Sequence, residues 1–79
     1  MALLRLFASA REAAGTDRVE IPGATVAEVL DTARSRFGEQ FSAVLDNAKV
    51  WLNGEPVDPQ HAVTDTDEVA VLPPVSGGA

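Results

Sequence analysis

The residues that could do chemistry in this chain stand at its C-terminal end. After Leu72 the sequence reads Pro73-Pro74-Val75-Ser76-Gly77-Gly78-Ala79. The prolines remove backbone donors and favour extended geometry, while the glycines add little to a core, so we expect this tail to project from the folded body. Its six residues up to Gly78 span roughly 20 Å when extended. Because glycine lacks a Cβ, such an end passes through a narrow channel and can present a carboxylate to a partner enzyme.

The remaining residues offer little competing chemistry. The chain has no cysteine, which excludes disulfides, thiol nucleophiles, iron–sulfur clusters and the usual structural zinc sites. His61 is the only histidine, and its polar loop favours a solvated side chain over a catalytic base. The acidic cluster of Asp65, Asp67 and Glu68 lacks the spacing of a calcium loop. We therefore predict no metal site, no tightly bound cofactor and no independent enzymatic activity.

Composition limits the classes of partner. The 79 residues, of which 46% are hydrophobic, suffice for one small folded domain. Twelve acidic against six basic residues give a net charge of -6, which would repel the phosphates of nucleic acid and anionic membranes. No apolar run approaches the ~20 residues of a membrane span, and Arg5 interrupts the first apolar stretch, unlike a signal peptide. The expectation is a soluble cytoplasmic protein with no nucleic-acid or membrane partner.

Periodicity predicts the elements of the first half. Alternating apolar residues predict strands over 2–8 and 17–21, with a short run of helix formers between them that ends at Gly15. Thr25 and Glu28 have the spacing of a capping box and predict the start of the main helix. Apolar residues at steps of three and four continue it, and Gly38 ends it.

The second half predicts a short helical turn over 39–47, with Phe41, Val44 and Leu45 at helical spacing. Strands follow over 48–52 and 55–57, joined by the two-residue turn Asn53-Gly54. A polar loop over 59–67 then leads to a last strand over 68–72. One helix packed across one mixed sheet results, an α+β arrangement. With the first and last strands adjacent in the middle, this is a ubiquitin-like β-grasp, formed by a domain over 1–72 with a flexible tail over 73–79.

Six short sequence stretches, distributed along the chain, match the sequence pattern of one known family. They are Phe7-Ala8, Ala10-Arg11-Glu12, Gly15-Thr16-Asp17, Asn53-Gly54, Thr66-Asp67-Glu68-Val69-Ala70 and Leu72-Pro73-Pro74-Val75-Ser76-Gly77-Gly78. Together they resemble the small subunit of molybdopterin synthase, a family of sulfur carriers related to ubiquitin. The proline- and glycine-containing ending is the most specific part of the resemblance.

The resemblance implies a chemical role for Gly78. In this family an ATP-dependent adenylating and sulfur-transfer enzyme converts the terminal glycine carboxylate to an acyl-adenylate, and sulfur then replaces AMP. The resulting thiocarboxylate enters a larger catalytic subunit, where it supplies the dithiolene sulfurs of molybdopterin. The small subunit is thus a reagent rather than a catalyst, and ATP is used by the activating enzyme. The expected partners are the larger subunit and the activating enzyme.

In such a carrier, the side chains need only form the contacts with partner proteins and take no part in catalysis. Phe7 and Leu72 fall on the sheet face opposite the one that carries Leu4 and Val69, and we expect them to form an exposed apolar contact for both partners. Arg11 is a polar contact at its edge. Trp51 alternates with its neighbours and is expected on the same outer face, with partial burial against adjacent strands.

Ala79 departs from the family pattern, in which the reactive carboxylate belongs to the second glycine. The form that ends in Ala79 is expected to be inactive or poor. Three explanations stay open: a protease removes Ala79, the residue was added in cloning, or the partner's channel tolerates it.

Other functions compete with this interpretation. The same carrier chemistry can serve thiamine synthesis, tRNA thiolation or an amino acid. A ubiquitin-like modifier would instead join the Gly78 carboxyl to lysines of target proteins. A β-grasp interaction domain with an inert tail is the remaining alternative, because terminal Gly-Gly sequences are often only frayed chain.

Overall fold

A mixed sheet with three helices makes up the part of the protein that the computed structural model describes, residues 1–74. The strands in that part are β1 (Ala2–Leu6), β2 (Arg18–Ile21), β3 (Lys49–Leu52), β4 (Glu55–Pro56) and β5 (Glu68–Leu72). The helices are α1 (Ala8–Ala14), α2 (Val26–Phe37) and α3 (Glu39–Asp46). Val75, Ser76, Gly77 and Gly78, on which the predicted chemistry falls, lie outside the described residues.

The first and last strands lie side by side in the middle of the sheet, as predicted. β1 and β5 are parallel, and the sheet order is β2-β1-β5-β3-β4 with all other pairs antiparallel. The register pairs Leu4 with Val69 and Leu6 with Val71. Two parallel strands must be joined by a long crossover connection. The segment between β1 and β5, which contains all three described helices, forms this connection. The predicted ubiquitin-like β-grasp is confirmed.

The main helix begins where the capping residues predict. The Thr25 hydroxyl accepts a hydrogen bond from the Glu28 amide at 3.2 Å, which satisfies one free amide of the first turn. The Glu28 carboxylate accepts from the Ala24 amide at 2.9 Å, one residue before the partner that a capping box predicts. Gly23 packs so closely on α2 that a Cβ there would lie 2.9 Å from the Val29 nitrogen. The entry to α2 is therefore fixed by both hydrogen bonding and close packing.

The first strand is shorter than the predicted range 2–8. It ends at Leu6 because Phe7 already caps α1, whose amides of Ala10 and Arg11 donate to the Phe7 carbonyl at 3.0 and 3.4 Å. Gly15 closes the helix as predicted, with a φ of 79° that favours glycine.

The predicted helical turn over 39–47 is an eight-residue helix, α3. Phe41 and Leu45 on its inner side are 0% and 4% exposed, and the Phe41 ring lies 5.1 Å from that of Phe37 on α2. Arg34 links the two helices by donating to Ser42 and by pairing with Asp46 at 2.8 Å. The helical layer thus contains two short helices beside the single main helix that the sequence predicts.

The core lies between this helical layer and the inner face of the sheet. Buried apolar side chains from both layers form one cluster: Ala2, Leu4, Leu6, Ala10, Ile21, Val26, Val29, Ala33, Phe41, Leu45, Val63, Val69 and Val71. Within residues 1–74 no helix is long and apolar enough to cross a membrane.

A hydrogen-bonded clip ties the β3–β4 hairpin to the turn before β5. Asn53 has a φ of 50° in the predicted two-residue turn, and its side chain donates to Asp67 Oδ1 at 3.0 Å while accepting from the Glu68 amide at 2.9 Å. The Thr64 amide donates to Asp67 Oδ2 at 2.8 Å. These hydrogen bonds lower the pKa of Asp67 below its ordinary value of 3.8. The bond from the Asn53 side chain has the larger effect, and the bond from the Thr64 amide has the next largest.

We predict that this clip makes stability depend on pH below about pH 4. Because the folded-state pKa of Asp67 is lowered, its contribution is fully present above the unfolded-state value and is lost as the pH falls through the folded-state value. Asp67→Asn should therefore lower the urea midpoint at pH 7, and its difference from wild type should shrink as the pH falls through that range. Asp31→Asn, on the exposed side of α2, controls for the loss of one charge. A difference that is the same at pH 2.5 and pH 7 would contradict the prediction.

Candidate docking surface and base of the tail

The sheet face that points away from the core is the candidate docking surface, and we call it the outer face. Its side chains alternate with the buried ones along each strand and are half-buried or exposed. By this alternation and the strand register it comprises Leu3, Arg5, Phe7, Arg18, Glu20, Lys49, Trp51, Pro56, Glu68, Ala70 and Leu72.

Phe7 and Leu72 lie on the outer face at the end of the sheet where the tail leaves. They come directly after the last pair of the parallel ladder, Leu6 and Val71, whose side chains are buried on the opposite face. Phe7 is 36% exposed, a large fraction for an aromatic side chain. The structure thus brings the two predicted contact residues to the predicted face; their contact with a partner stays a prediction.

Trp51 extends this apolar surface across β3. The register places it opposite Ala70 of β5 and Pro56 of β4, and it is half-buried. The position agrees with the expectation from its alternation with Val50 and Leu52.

Arg5 is an outer-face residue that the sequence did not single out. Its guanidinium carbon lies 5.3 Å from the centroid of the Phe7 ring, within the range of a cation–π interaction. Its ion pair with Glu68 is long, at 3.8 Å. The strand opposite contributes Arg18, paired directly with Arg5 in the β1–β2 register. Only the strand pairing reveals this proximity, because the two arginines are thirteen positions apart in the sequence.

Arg11, the predicted polar contact, is exposed on the last turn of α1. Its side chain forms no ion pair with any other described residue. The structure thus places Arg11 on the surface, and its contact with a partner stays a prediction.

The base of the tail is partly packed. Pro73 is buried and Pro74 is exposed, so the chain does not leave the body directly after Leu72 as expected. A hollow of about 280 Å³ adjoins the two prolines, and its other lining residues come from α1, α3 and the position after α3: Ser9, Ala43, Val44 and Asn47. The stem of the tail thus starts from a packed position beside the central strand β5.

A second hollow, of about 360 Å³, lies beside the β3–β4 hairpin and includes Glu55, Asp58 and His61. The Nδ1 atom of His61 lies 2.8 Å from the Ala62 carbonyl oxygen. Across residues 1–74 no three histidine or acidic side chains are grouped closely enough to hold a metal ion.

Comparisons with known proteins agree with this fold. The Escherichia coli molybdopterin synthase sulfur carrier subunit is 35% identical over 75 residues, covering 91% of this chain and 93% of that protein. Small archaeal modifier protein 1 from Haloferax volcanii is 38% identical over 84 residues, with 94% and 97% coverage. A chain of the Amycolatopsis orientalis BexX/CysO complex superposes with a TM-score of 0.79 at 27% identity, covering 99% of this chain and 100% of that one.

The sequence profile of the ThiS family matches residues 4–78. The match includes the β-grasp body and extends through both glycines of the tail. This chain therefore belongs to the ThiS family.

Proposed function

We propose that this chain is the sulfur carrier subunit of a molybdopterin synthase, with Gly78 as the residue that carries the sulfur. The observation on which this rests most is the Pro-Pro to Gly-Gly tail, which follows the central strand β5 in the sequence, at the end of the sheet where Phe7 and Leu72 lie on the outer face. The family match through residue 78 and the likeness to the bacterial sulfur carrier subunit support the proposal.

The proposed chemistry requires activation of a carboxylate, which is a poor electrophile. An ATP-using partner transfers AMP to the Gly78 carboxylate and releases pyrophosphate. A sulfide-level nucleophile, hydrosulfide, then attacks the acyl carbon, the bond to AMP breaks with AMP as the leaving group, and loss of the sulfur-bound proton leaves a thiocarboxylate. The larger synthase subunit would accept this end in its pocket, where the sulfur passes to a pterin precursor. The carrier itself holds no cofactor tightly, and ATP is consumed by the activating enzyme.

The fold suits a protein whose role is to present its C-terminal carboxylate to partner enzymes. β5 is hydrogen-bonded on both sides, to β1 and to β3, and Pro73 is buried at its end. A stem fixed in this way loses little further conformational freedom when the tail enters a partner, which lowers the entropic cost of binding. Catalytic groups would then come from the partner enzymes.

The outer face is the proposed docking surface for those enzymes. Phe7 and Leu72 lie closest to the start of the tail, so a partner that covers them also receives the stem. Buried aromatic anchors near the centre of an interface carry much of its binding energy, which makes Phe7 the proposed anchor. Arg11, exposed on the neighbouring helix, would add a polar contact at the rim.

Ala79 lies outside the family match, which ends at Gly78. We propose that a protease removes it before activation, because a methyl group on the terminal residue would widen a chain end otherwise made of glycines.

One specific observation favours a second function, that of a protein modifier. The Haloferax volcanii relative, which bears the name of a modifier protein, is 38% identical to this chain. A carrier for another sulfur pathway uses the same activated glycine and differs only in the acceptor. The acceptor therefore decides among these functions.

A transfer assay tests the proposal. The chain ending at Gly78, loaded as the thiocarboxylate, is mixed with the larger synthase subunit and the pterin precursor. We expect a sulfur-bearing pterin to form while the carrier loses ~16 Da, the exchange of sulfur for oxygen at its acyl carbon. A thiocarboxylate that persists beside unchanged precursor would contradict the proposal, and a ladder of conjugates on immunoblots of native cells would favour the modifier.

A further inference from the structure

The outer face contains a pair of like charges that the fold places directly opposite each other. Arg5 of β1 and Arg18 of β2 are register partners in an antiparallel ladder, and both side chains belong to the outer face. Like charges in directly opposed cross-strand positions destabilise a sheet. The pair therefore costs the isolated protein stability at this position.

Compensation from within the described chain is weak. The single ion pair of Arg5 in residues 1–74 is the 3.8 Å contact with Glu68, between side chains that are 37% and 41% exposed, and such pairs contribute little. Arg18 forms no ion pair in the same part of the chain. The Arg5 Nε atom is buried without a hydrogen-bond partner, so one donor of the guanidinium is unsatisfied.

The distribution of charge between the outer face and the rest of the chain also indicates a negatively charged partner group. The protein has twelve acidic and six basic residues and a net charge of -6. Three of the six basic residues, Arg5, Arg18 and Lys49, belong to the outer face, against two acidic residues, Glu20 and Glu68. This face is therefore net positive on an acidic protein, and its complement is a surface with carboxylates.

Building on the proposed function, we propose that the Arg5–Arg18 pair binds an aspartate or glutamate carboxylate of the larger synthase subunit when that subunit docks on the outer face. A carboxylate between two guanidinium groups converts a repulsive pair into two attractive ones, and its oxygens accept the planar donors of arginine in a bidentate manner. The cation–π interaction with the Phe7 ring keeps the Arg5 guanidinium next to the predicted apolar contact residues, Phe7 and Leu72. The pair thereby couples recognition of charge to the surface next to the tail.

Arg18→Glu separates this role from a structural one, because the two predict opposite signs. In the isolated protein the substitution replaces a like-charge pair by an opposite-charge pair, so we expect Tm to rise by about 2–4 °C. Binding to the larger subunit should weaken about tenfold or more, since a glutamate would face the partner's carboxylate. Calorimetric titration of the Gly78-ended chain at two salt concentrations gives the affinity, and the salt dependence of Kd should also become smaller in the variant.

Arg36→Glu is the matched control. It makes the same change of two charge units on the exposed surface of α2, away from the outer face, and should change Kd less than twofold. Equal weakening by both variants would show that net charge alone matters and would overturn the inference. Wild-type affinity of Arg18→Glu would overturn it while leaving the proposed function intact, provided that the unsubstituted chain binds and transfers sulfur. A wild-type chain that does not bind the larger subunit would overturn both.

Discussion

A chain shortened to end at Gly77 should fail to take up sulfur, whereas the chain ending at Gly78 should gain ~16 Da when incubated with its activating enzyme, ATP and a sulfur source. Both chains end in a glycine carboxylate and differ only in reach, by about 3.5 Å. Misplacement of a reacting group by about 1 Å can cost 10²-fold in rate. We therefore expect the adenylation rate of the shorter chain to fall by at least about 10²-fold, measured by intact-mass spectrometry over time.

The chain that ends at Ala79 completes this series, since it lengthens the end instead of shortening it. It should load poorly and recover full loading after Ala79 is removed. Tm should be the same for all three chains, because they differ only at positions 78 and 79, beyond Pro73, the last buried residue in the described part of the chain. Equal loading of the Gly77-ended and Gly78-ended chains would show that the activating enzyme does not depend on the exact position of the terminal carboxylate. This result would contradict the assignment of Gly78.

The elements that sequence predicts best are those specified by local chemistry. Thr25 and Glu28 predict the start of α2, and the Asn53-Gly54 pair predicts the β3–β4 turn, because each signal depends on residues within one turn of chain. The alternation of Leu4, Leu6, Val69 and Val71 also predicts which sheet face is buried, and the structure agrees. The predicted outer-face positions of Phe7 and Leu72 follow from the same alternation.

The features that sequence could not predict depend on long-range pairing. Arg5 and Arg18 face each other only because of the β1–β2 register. The clip between Asn53 and Asp67 joins residues fourteen positions apart. Burial of Pro73 requires α1 and α3 to approach the end of β5, whereas composition alone predicts that the chain departs after Leu72. In each case the missing information is which distant segment lies alongside.

Phe41→Ala should be the most destabilising single change considered for this chain. Phe41 is completely buried and is the largest of the fully buried side chains, and it contacts Phe37 across the α2–α3 junction. Truncation of a buried phenylalanine costs about 3–5 kcal/mol through lost burial and the cavity that remains. A domain of this length has a total stability of roughly 4–12 kcal/mol, so the variant should lose about a quarter of it or more. Calorimetry should show Tm lowered by about 15–30 °C.

Phe7→Ala is the matched control, because the same atoms are removed from an exposed aromatic ring. Its cost should stay below about 1 kcal/mol, mainly from the lost contact with the Arg5 guanidinium. The two phenylalanines should therefore separate by function: Phe41→Ala lowers stability, whereas Phe7→Ala retains the fold and weakens docking. If Phe7→Ala destabilised the isolated protein as much as Phe41→Ala, the Phe7 ring would belong to the core rather than to a docking surface. A Phe41→Ala variant with unchanged Tm would instead contradict the placement of the Phe41 ring in the core.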